Sequence, residues 1–332
     1  MIAQRATKRS RASLAGLLVA ALAACTVGPN YVRESAPVTP AYKEAGDWKS
    51  AAPADQFPRG EWWRVYGDAE LDRLEAEATA ANQDIVAADA RYRQAKTLID
   101  QARAGLFPQV GLGVSESRGN STASAAGGVR NAVNASVNAS WEIDLWGRVR
   151  RAVEASEASA AASSADLESA RLSVQAQLAS AYFSVRTADS GQRLLDRTVE
   201  AYQQTLKLTN NRYEAGVAAR SEVVQADAQV KSAQAQAMDN RATRAGFEHA
   251  IAVLTGRAPA QFSLAVADDV PPPPDIPPGV PSQLLERRPD IAAAERRMAA
   301  ANAQVGVATA AFFPALSLSA SGGFASSGLA NL

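Results

Sequence analysis

The chain has 332 residues, of which 47% are hydrophobic and 20% are charged, so it carries enough apolar material for a sizeable buried core. Its 34 basic and 34 acidic residues cancel, and no cluster of positive charge marks a nucleic-acid surface. A single cysteine and a single histidine exclude an internal disulfide, a cysteine-rich metal cage and a two-histidine metal site.

The N-terminal stretch 1–24 has the layout of a secretory signal. A basic start precedes an apolar run, Leu14 to Ala23, which is too short to cross a bilayer as a helix. The tetrapeptide Leu22-Ala23-Ala24-Cys25 resembles a bacterial lipobox, which implies acylation of Cys25 and removal of the leader. The alternative is an ordinary cleavage site followed by a free thiol. Thr26 comes next, rather than the aspartate that resembles an inner-membrane retention signal, which indicates the outer membrane.

The segment 25–68 is interpreted as a lipid-anchored strap, because it is polar and spotted with proline and has no sustained period. Regular structure begins near Ala69. Apolar residues there recur in steps of three and four and predict one helix over 69–106, which ends before Pro108. The stripe consists of Leu71, Leu74, Ala78, Ala81, Ile85, Ala88 and Tyr92.

The period changes to two after this helix. Val110, Leu112 and Val114 alternate with small or polar residues, and a second run from Val133 to Trp141 alternates with Asn and Ser. The runs predict a membrane hairpin over 107–147, with the polar face lining a wet lumen and the apolar face in lipid. An ordinary soluble hairpin is the alternative, because many antiparallel sheets alternate in this way.

A long helical hairpin is predicted over 148–256. No proline interrupts its first helix, which extends to about Tyr213, and a short break at 214–220 forms the tip. The second helix is expected to begin with a serine cap at Ser221, to run antiparallel to the first and to end near Leu254.

The first helix of the hairpin has apolar residues in alternating steps of four and three from Val174 to Tyr213. This 3.5-residue repeat predicts that the helix supercoils against its neighbours. Seven prolines in 271–281 then indicate a stiff connector, which we assign to 257–282.

The pattern of the first half begins again beyond the connector. Residues 104–108 match residues 310–314 at an offset of 206, and each group closes a helix and opens an alternating strand. This internal repeat predicts a second helix over 283–311 and the start of a second membrane hairpin over 312–332. A complete second copy would need more residues, so we expect this chain to be a C-terminally truncated part of a longer protein.

Five groups of residues, in order along the chain, share one family resemblance. They are Cys25-Thr-Val-Gly-Pro-Asn-Tyr31; Trp62-Trp63 with Tyr66-Gly67-Asp68 and Asn82-Gln83-Asp84-Ile85; Trp141-Glu-Ile-Asp-Leu-Trp-Gly147; Arg212-Tyr213 with Gly216; and Leu284 to Ile291 with Phe313-Pro314. Together they resemble the TolC-like outer-membrane efflux proteins, and within them the lipoprotein subgroup often called NodT-type. The chain departs from that pattern by lacking a proline near Arg33-Glu34 and a second helical hairpin.

The resemblance implies a mainly α fold with membrane β-strands, in which long helical hairpins form a periplasmic α-barrel below a trimeric transmembrane β-barrel. Its implied function is that of a passive export duct for small molecules in a tripartite efflux system of the RND type. The implied partners are two further copies of the chain, a periplasmic adaptor (a membrane fusion protein), an inner-membrane pump and outer-membrane lipid. Neither a cofactor nor nucleic acid is expected.

Two groups of site residues follow from the resemblance. The tip that would contact the adaptor comprises Arg212, Tyr213, Gly216, Val217 and Glu222. Glu222 lies where the family often has an acid near the ionic links that hold the tip closed. The alternative for Glu222 is a helix N-terminal acid favoured by the helix dipole.

The barrel junction is the second group, with Trp141, Asp144, Trp146 and Gly147. The two tryptophans resemble aromatic residues near an interfacial girdle, and Gly147 would let the strand bend into the long helix. Packing alone is the alternative for both tryptophans. Asp144 and its neighbour Glu142 would face either the lumen or the solvent at the junction.

A lipid-anchored periplasmic adaptor or coiled-coil scaffold is the alternative function, because such proteins are also built on a long helical hairpin. An adaptor would flank one hairpin with β-rich halves, whereas here a helix-to-strand unit repeats. An enzyme is disfavoured, since His249 lies in a polar helical stretch without a serine elbow, a cysteine nucleophile or paired carboxylates. No catalytic residue and no metal ligand is predicted.

Overall fold

The computed structural model describes residues 26–33, 60–121, 128–267, 274 and 288–327. Within them the elements are α1 (Ala69–Ala81), α2 (Gln83–Ala104), β1 (Gln109–Ser121), β2 (Gly128–Ile143), α3 (Arg148–Glu214), α4 (Arg220–Leu254), α5 (Pro289–Ala310) and β3 (Leu316–Ser326), with short 3-10 helices at Trp62–Tyr66 and Pro259–Gln261. The chain forms two compact units, the first from residues 1–37, 90–165 and 289–332 and the second from residues 38–89 and 166–288. The fold is mainly helical, as predicted, with a small β-sheet.

The first unit contains a three-stranded antiparallel sheet in the order β1-β2-β3. Leu112 of β1 lies opposite Val137 of β2, and Trp141 of β2 lies opposite Leu318 of β3. The period-two pattern therefore predicted the strands correctly. The sheet also joins a strand that follows the second repeat helix to the hairpin that follows the first.

The two helix-to-strand turns have the same hydrogen bonds, which supports the internal repeat. The amide of Phe107 donates to the carbonyl of Ala104 at 3.1 Å, and the amide of Phe313 donates to the carbonyl of Ala310 at 3.1 Å. Both turns are followed at once by proline, which cannot continue a helix. Equivalent sequence thus produces equivalent backbone geometry at an offset of 206 residues.

The single helix predicted over 69–106 is wrong in one respect, because the structure breaks it at Asn82 into α1 and α2. The Asn82 side-chain oxygen accepts hydrogen bonds from the amides of Asp84 (2.9 Å) and Ile85 (3.3 Å), which caps α2. Its side-chain nitrogen donates to the carbonyl of Leu254 at 3.0 Å. A local cap and a contact with a residue 172 positions away therefore both hold the break.

The long uninterrupted helix predicted after Gly147 is present as α3, and the helix after the tip is present as α4. The predicted serine cap at Ser221 is wrong, because α4 begins at Arg220 and its N-cap, Ala219, has no side-chain cap bond. Two ion pairs, Asp189–Arg244 and Asp196–Arg241, connect α3 and α4. From the first pair to the second, the residue number rises on α3 and falls on α4, so the two helices pack antiparallel.

The core of the second unit is built from the predicted stripes of α1 and α3 together with α4. Leu71, Leu74, Leu178, Val185 and Ile251 are each fully buried at 0% exposure. Burying one such side chain stabilises a fold by about 1.5–3 kcal/mol. Further along α3, the stripe residues Tyr202 and Tyr213 are 37% and 43% exposed, so the stripe loses its cover toward the tip.

The first unit has a different kind of core. Its buried helical residues include Ala160 and Ala162 of α3 and Ala293 and Ala303 of α5, each at most 4% exposed. Alanine leaves little side-chain volume between packed helices, so this core is made from small residues and permits close helix approach.

Candidate functional site

The sheet of the first unit separates apolar and polar side chains onto opposite faces. Residues directly opposite in an antiparallel pair share a face, and alternate residues of a strand share it too. Along the middle of the strands and toward the junction, the apolar face so defined includes Val110, Leu112, Val114, Ala135, Val137, Ala139, Trp141, Leu316, Leu318 and Phe324. Further along β1 the same face carries Glu116 and Arg118. Leu112 is 78% exposed and Phe324 is 77% exposed. A contiguous exposed apolar surface of this kind marks contact with an apolar phase or a partner.

The opposite face of the sheet is polar but uncharged along the middle of the strands. It consists of Gly111, Gly113, Ser115, Asn134, Ser136, Asn138, Ser140, Ser317, Ser319 and Ser321. Small hydroxyl, amide and glycine residues hydrogen-bond water without imposing a sign of charge. This polar face can therefore line a wet path for solutes of either charge.

The two tryptophans of the barrel junction hydrogen-bond to the two repeat-related turns. Trp141 Nε1 donates to the carbonyl of Leu106 at 3.1 Å, and Trp146 Nε1 donates to the carbonyl of Pro314 at 3.0 Å. The ring of Trp146 also stacks on Phe313, with centroids 4.7 Å apart. These contacts support the packing interpretation, in which each indole fixes one helix-to-strand turn. A further role at the lipid interface stays a prediction.

The acidic residues of the junction are compensated within the chain. Asp144 accepts hydrogen bonds from the amides of Val149 (3.1 Å) and Arg150 (2.9 Å) and so caps the start of α3. Glu142 accepts two hydrogen bonds from the guanidinium of Arg148, at 2.8 and 2.6 Å. Such bidentate pairs are among the stronger charge-assisted contacts. Both carboxylates therefore order the strand-to-helix junction rather than standing free as solvated charges.

Gly147 lies between the end of β2 and the start of α3. Its φ is +81°, in the left-handed region where a side chain is strained. A Cβ at this position would also collide with Thr26. The chain therefore turns from strand to helix at a position that only glycine fits without cost, as the sequence pattern indicated.

The tip residues lie at the end of α3 and in the turn that follows. Gly216 has a φ of +75°, and the amide of Val217 donates to the carbonyl of Arg212 at 2.8 Å. This is the pattern of a helix closed by a left-handed glycine. Val217 is 69% exposed and Tyr213 is 43% exposed. The turn thus presents an apolar and an aromatic side chain to the outside.

Glu222 lies in the first turn of α4, just after the tip. Its carboxylate accepts a hydrogen bond from the amide of Ala219 at 3.1 Å. Within the described part of the chain it has no ion pair closer than 4.0 Å. The geometry of this chain matches the helix N-terminal acid. A role for Glu222 in holding a tip closed stays a prediction.

A polar network in the second unit was missed by the sequence analysis. Asp68 caps α1 through one carboxylate oxygen and accepts a hydrogen bond from the Tyr182 hydroxyl at 2.5 Å with the other. Arg186 donates to the Tyr182 hydroxyl at 3.0 Å and to the carbonyl of Ala265 at 2.7 Å. Burial raises the pKa of Tyr182 to about 12, so its hydroxyl remains a donor. The sequence feature that marks this network is the Tyr66-Gly67-Asp68 motif, which is part of the family resemblance.

A second buried network fastens the segment after α4. Asp189 is 2% exposed and accepts a hydrogen bond from Arg244 at 2.5 Å. Arg244 also donates to the carbonyl of Leu264 at 2.8 Å, and Glu248 accepts from the amide of Leu264 at 2.5 Å. Nothing in the periodicity singles these residues out, because they flank the apolar stripe rather than forming it.

Glu75 is the most unusual acid of the second unit. It is 0% exposed, and neither carboxyl oxygen has a hydrogen-bond partner in the described part of the chain. Burial raises the pKa of Glu75 to about 8, so the group is neutral at pH 7.

Two other classes of site, metal centres and membrane-spanning helices, concern the described residues. No group of three or more His, Cys, Asp and Glu side chains there could hold a metal ion. None of the helices in the same residues has both the length and the apolar character that crossing a membrane requires. His249 is exposed on α4. Cys25, the lipidation candidate, and most of the connector 257–282 lie outside the described residues.

Comparison with known proteins gives a consistent result. The family model described as "Outer membrane efflux protein" matches residues 74–257 and 280–332. Outer membrane protein OprJ of Pseudomonas aeruginosa is 32% identical over 330 residues, which cover 95% of this chain and 67% of OprJ. The pyoverdine export outer membrane protein OpmQ of Pseudomonas putida is 32% identical over 284 residues, which cover 82% of this chain and 60% of OpmQ.

The solved structures agree with the sequence comparison. The outer-membrane channel OprN superposes with a TM-score of 0.81 and 32% identity over 93% of this chain and 69% of OprN. The chain thus spans about two thirds or less of the length of the curated relatives just named. Those relatives are named as outer membrane proteins, and OprN as a channel, rather than as enzymes.

Proposed function

The chain belongs to the outer membrane efflux protein family, and on this basis we propose that it is the channel subunit of a tripartite efflux pump. In this role it is a passive duct that carries small molecules through the periplasm and the outer membrane. The energy for export comes from an inner-membrane pump, and the channel contributes a closed, wet path.

The observation that carries the proposal is the two-faced sheet of the first unit. Its apolar face has large side chains such as Leu112 and Phe324 that are more than three quarters exposed. Its other face carries serine, asparagine and glycine. Strands of a membrane barrel alternate in this way, with the apolar side toward lipid and the polar side toward the lumen. The helix α3 follows β2 directly through Gly147, which would continue the wall beyond the strands.

The edges of the sheet support assembly from several copies. β1 and β3 are the outer strands of the described sheet. An edge strand presents unpaired N–H and C=O groups, which cost several kcal/mol each in hydrocarbon. A barrel closes only when further strands pair with these edges. We therefore propose that neighbouring copies supply strands to one barrel, and we propose a homotrimer because that is the assembly that the family resemblance implies.

The proposed contacts with other molecules involve two separate parts of the chain. The exposed tip with Arg212, Tyr213, Gly216, Val217 and Glu222 would meet a periplasmic adaptor. Acylation of Cys25 would anchor the protein in the outer membrane. The relatives include an outer membrane protein named for pyoverdine export, and the uncharged polar face of this sheet suits small polar solutes.

The test is a pair of substitutions on neighbouring residues of β2, Val137→Lys on the apolar face and Asn138→Lys on the polar face. A lysine facing the middle of the bilayer costs about 2–4 kcal/mol, whereas a lysine in a wet lumen costs little. We expect Val137→Lys to reduce strongly the amount of trimer recovered from outer membranes, and Asn138→Lys to leave it near the wild-type amount.

The readout is native mass spectrometry of protein extracted from the outer-membrane fraction. Three copies per particle support the proposal, as does the difference between the two variants. Equal recovery of both variants, or recovery of a water-soluble monomer without detergent, would contradict it. Intact mass of the same sample reports acylation at Cys25.

A further inference from the structure

The segment 26–33, which follows Cys25, is held against two other elements of the first unit. Its polar contacts include the hydrogen bonds from the Val27 amide to the Trp146 carbonyl (3.1 Å) and from Asn302 Nδ2 to the Pro29 carbonyl (3.0 Å). Arg33 also forms an ion pair with Glu295 at 3.3 Å. The segment therefore touches the junction at the end of β2 and also α5, which belongs to the second repeat.

Arg151, in the first turns of α3, is the centre of this arrangement, with a side chain that is only 4% exposed. It donates to the carbonyls of Val27 and Gly28, each at 3.3 Å, and to Asn30 Oδ1 at 2.7 Å. Its remaining terminal nitrogen donates to Glu154 at 2.7 Å, which compensates the charge. One guanidinium thus donates hydrogen bonds to two backbone carbonyls and one side-chain oxygen of the segment. The planar guanidinium suits this arrangement because its N–H donors point in fixed directions.

Two glycines allow the backbone to approach Arg151 closely. Gly28 has a φ of +92°, and a Cβ there would lie 2.5 Å from the Cα of Gly306. A Cβ on Gly306 would lie 2.9 Å from the side chain of Arg151. Contacts this short are not tolerated by real side chains, so the segment, α5 and Arg151 fit together only with glycine at both positions.

We propose that residues 26–33 are the ligand of a docking site within the same chain, that Arg151 is its recognition residue, and that docking fixes the N-terminal anchor beside the ends of the strands. The proposal rests on the proposed function, because it requires an acylated Cys25 and strands in the membrane. Thr26 follows Cys25 directly and lies against Gly147, which follows the end of β2 by four residues. Acyl chains at Cys25 would then enter the membrane at the level where the strands end.

Docking differs in its consequence from a flexible tether. A free strap would let the anchor lie anywhere within its reach, whereas the docked segment allows one position relative to the sheet. Because the site combines the junction of the first hairpin with α5 of the second repeat, docking also holds both repeats in one register. Arg151 acts here as a positioning residue.

The first experiment measures hydrogen exchange of the Val27 amide in the purified full protein in detergent. Arg151→Ala removes all three donors to the segment, and we expect exchange at Val27 to become roughly tenfold faster or more. Arg151→Lys keeps the charge without the fork and should give a smaller increase. Arg197→Ala, on the exposed face of α3, is the matched control and should leave Val27 unchanged.

Asn30→Ala tests the same contact from the ligand side. It removes the acceptor at 2.7 Å without touching α3, so it remains informative if Arg151→Ala fails to fold. We expect exchange at Val27 to rise on the order of threefold. Unchanged exchange in Asn30→Ala and in every folded Arg151 variant would overturn the docking site.

The second experiment separates positioning of the anchor from local packing. The amount of assembled channel in outer membranes is compared for wild type, Arg151→Ala, Cys25→Ser and the double variant, with the Cys25→Ser proteins exported behind an ordinary cleavable leader. If Arg151 acts by positioning the anchor, its substitution lowers assembly roughly fivefold when Cys25 is present and adds nothing in the Cys25→Ser background. The fold-loss of assembled channel in the double variant is compared with the fold-losses in the two single variants. If it equals their product, the positioning role is overturned.

The intact mass of the mature protein keeps this result distinct from the proposed function. A mass without acyl chains would overturn both the proposed lipidation and the anchoring half of this inference. Exchange at Val27 would still decide the docking half, because that measurement depends only on contacts within the chain.

Discussion

The sheet of the first unit and the helical core of the second unit place their side chains in opposite ways. In the sheet, apolar residues such as Leu112 and Phe324 face outward and are 78% and 77% exposed. In the helical core, charged or acidic residues such as Asp189 and Glu75 are buried, at 2% and 0% exposure. Neither arrangement is the ordinary one for a protein surrounded by water on all sides.

The difference shows that polarity has to be judged against the phase that each region faces. An exposed apolar face is stable where lipid covers it, which agrees with the proposed barrel strands. A buried charge is tolerated where fixed partners replace water, and Arg244 does this for Asp189 at 2.5 Å. Glu75 has no partner in the described residues and is accommodated by keeping its proton.

The strongest way to break this comparison is to remove a buried acid and an exposed acid from the same helix. Asp189→Ala removes the buried carboxylate that Arg244 and Arg186 share and leaves Arg244 paired with Glu248 alone, so we expect a loss of about 3–5 kcal/mol in the free energy of unfolding. Asp196→Ala removes a carboxylate that is 51% exposed and pairs with Arg241, and should cost less than about 1 kcal/mol. Denaturant unfolding of the purified protein in detergent measures both. Similar losses would contradict the distinction.

Glu75 gives a test through pH. Its pKa rises from 4.5 to about 8 on folding, so the folded state holds the proton more tightly than the unfolded chain. The resulting stability is fully present below pH 4.5 and is lost as the pH rises through about 8, by up to about 1.4 kcal/mol per pH unit. Glu75→Gln should flatten this part of the stability curve, and Glu200→Gln, at an exposed site of α3, controls for the same chemical change. Parallel curves for wild type and Glu75→Gln would rule the mechanism out.

Tyr182 tests whether buried polar contacts stabilise the second unit beyond its apolar packing. Tyr182→Phe keeps the ring and removes the hydroxyl that donates to Asp68 at 2.5 Å, so we expect a loss of about 1.5–3 kcal/mol. Tyr202→Phe makes the same change on α3 at a residue that is 37% exposed, and should change stability by less than about 0.5 kcal/mol. Thermal unfolding monitored by circular dichroism distinguishes the two.

The smallest expected effect is at the tip, where backbone conformation rather than burial decides. Gly216→Ala places a side chain at a φ of +75° and should destabilise by about 1 kcal/mol. Gly246→Ala, in the interior of α4 with open space around an added Cβ, should stabilise by about 0.5–1 kcal/mol. Replacing glycine by alanine should thus lower the stability at one exposed glycine and raise it at the other. A loss at both positions would show that the tip is not special.

Much of this architecture could be predicted from local patterns. Alternation at Val110, Leu112 and Val114 predicted a strand and its two faces, and the steps from Val174 onward predicted α3. The tip glycine, Gly216, could be located because a long helical pattern stopped there. In each case neighbouring residues carry the information, since period and turn chemistry are properties of a few consecutive positions.

The errors have two different causes. At Asn82 a hydrogen bond to the carbonyl of Leu254, 172 positions away, accompanies the local cap on α2. At the start of α4 the cause is local, because the Glu222 carboxylate accepts from the amide of Ala219, three positions away, where a serine cap was predicted. The buried pair Asp189–Arg244 joins two helices and leaves no mark on the period of either. The apolar stripe continues across Asn82 and favours one helix, whereas the capping side chain of Asn82 and its tertiary hydrogen bond end α1 there.

The sequence by itself determined the order of helices and strands, the alternating faces of the strands, the internal repeat and the family. These follow from composition, period and short motifs, which the chain carries whatever its packing. The tertiary structure alone decided that Arg151 holds the segment after Cys25, that Trp141 and Trp146 each bind one repeat turn, and that Glu75 is buried without a partner. Those facts depend on which distant groups meet once water is excluded, and a one-dimensional pattern does not encode that information.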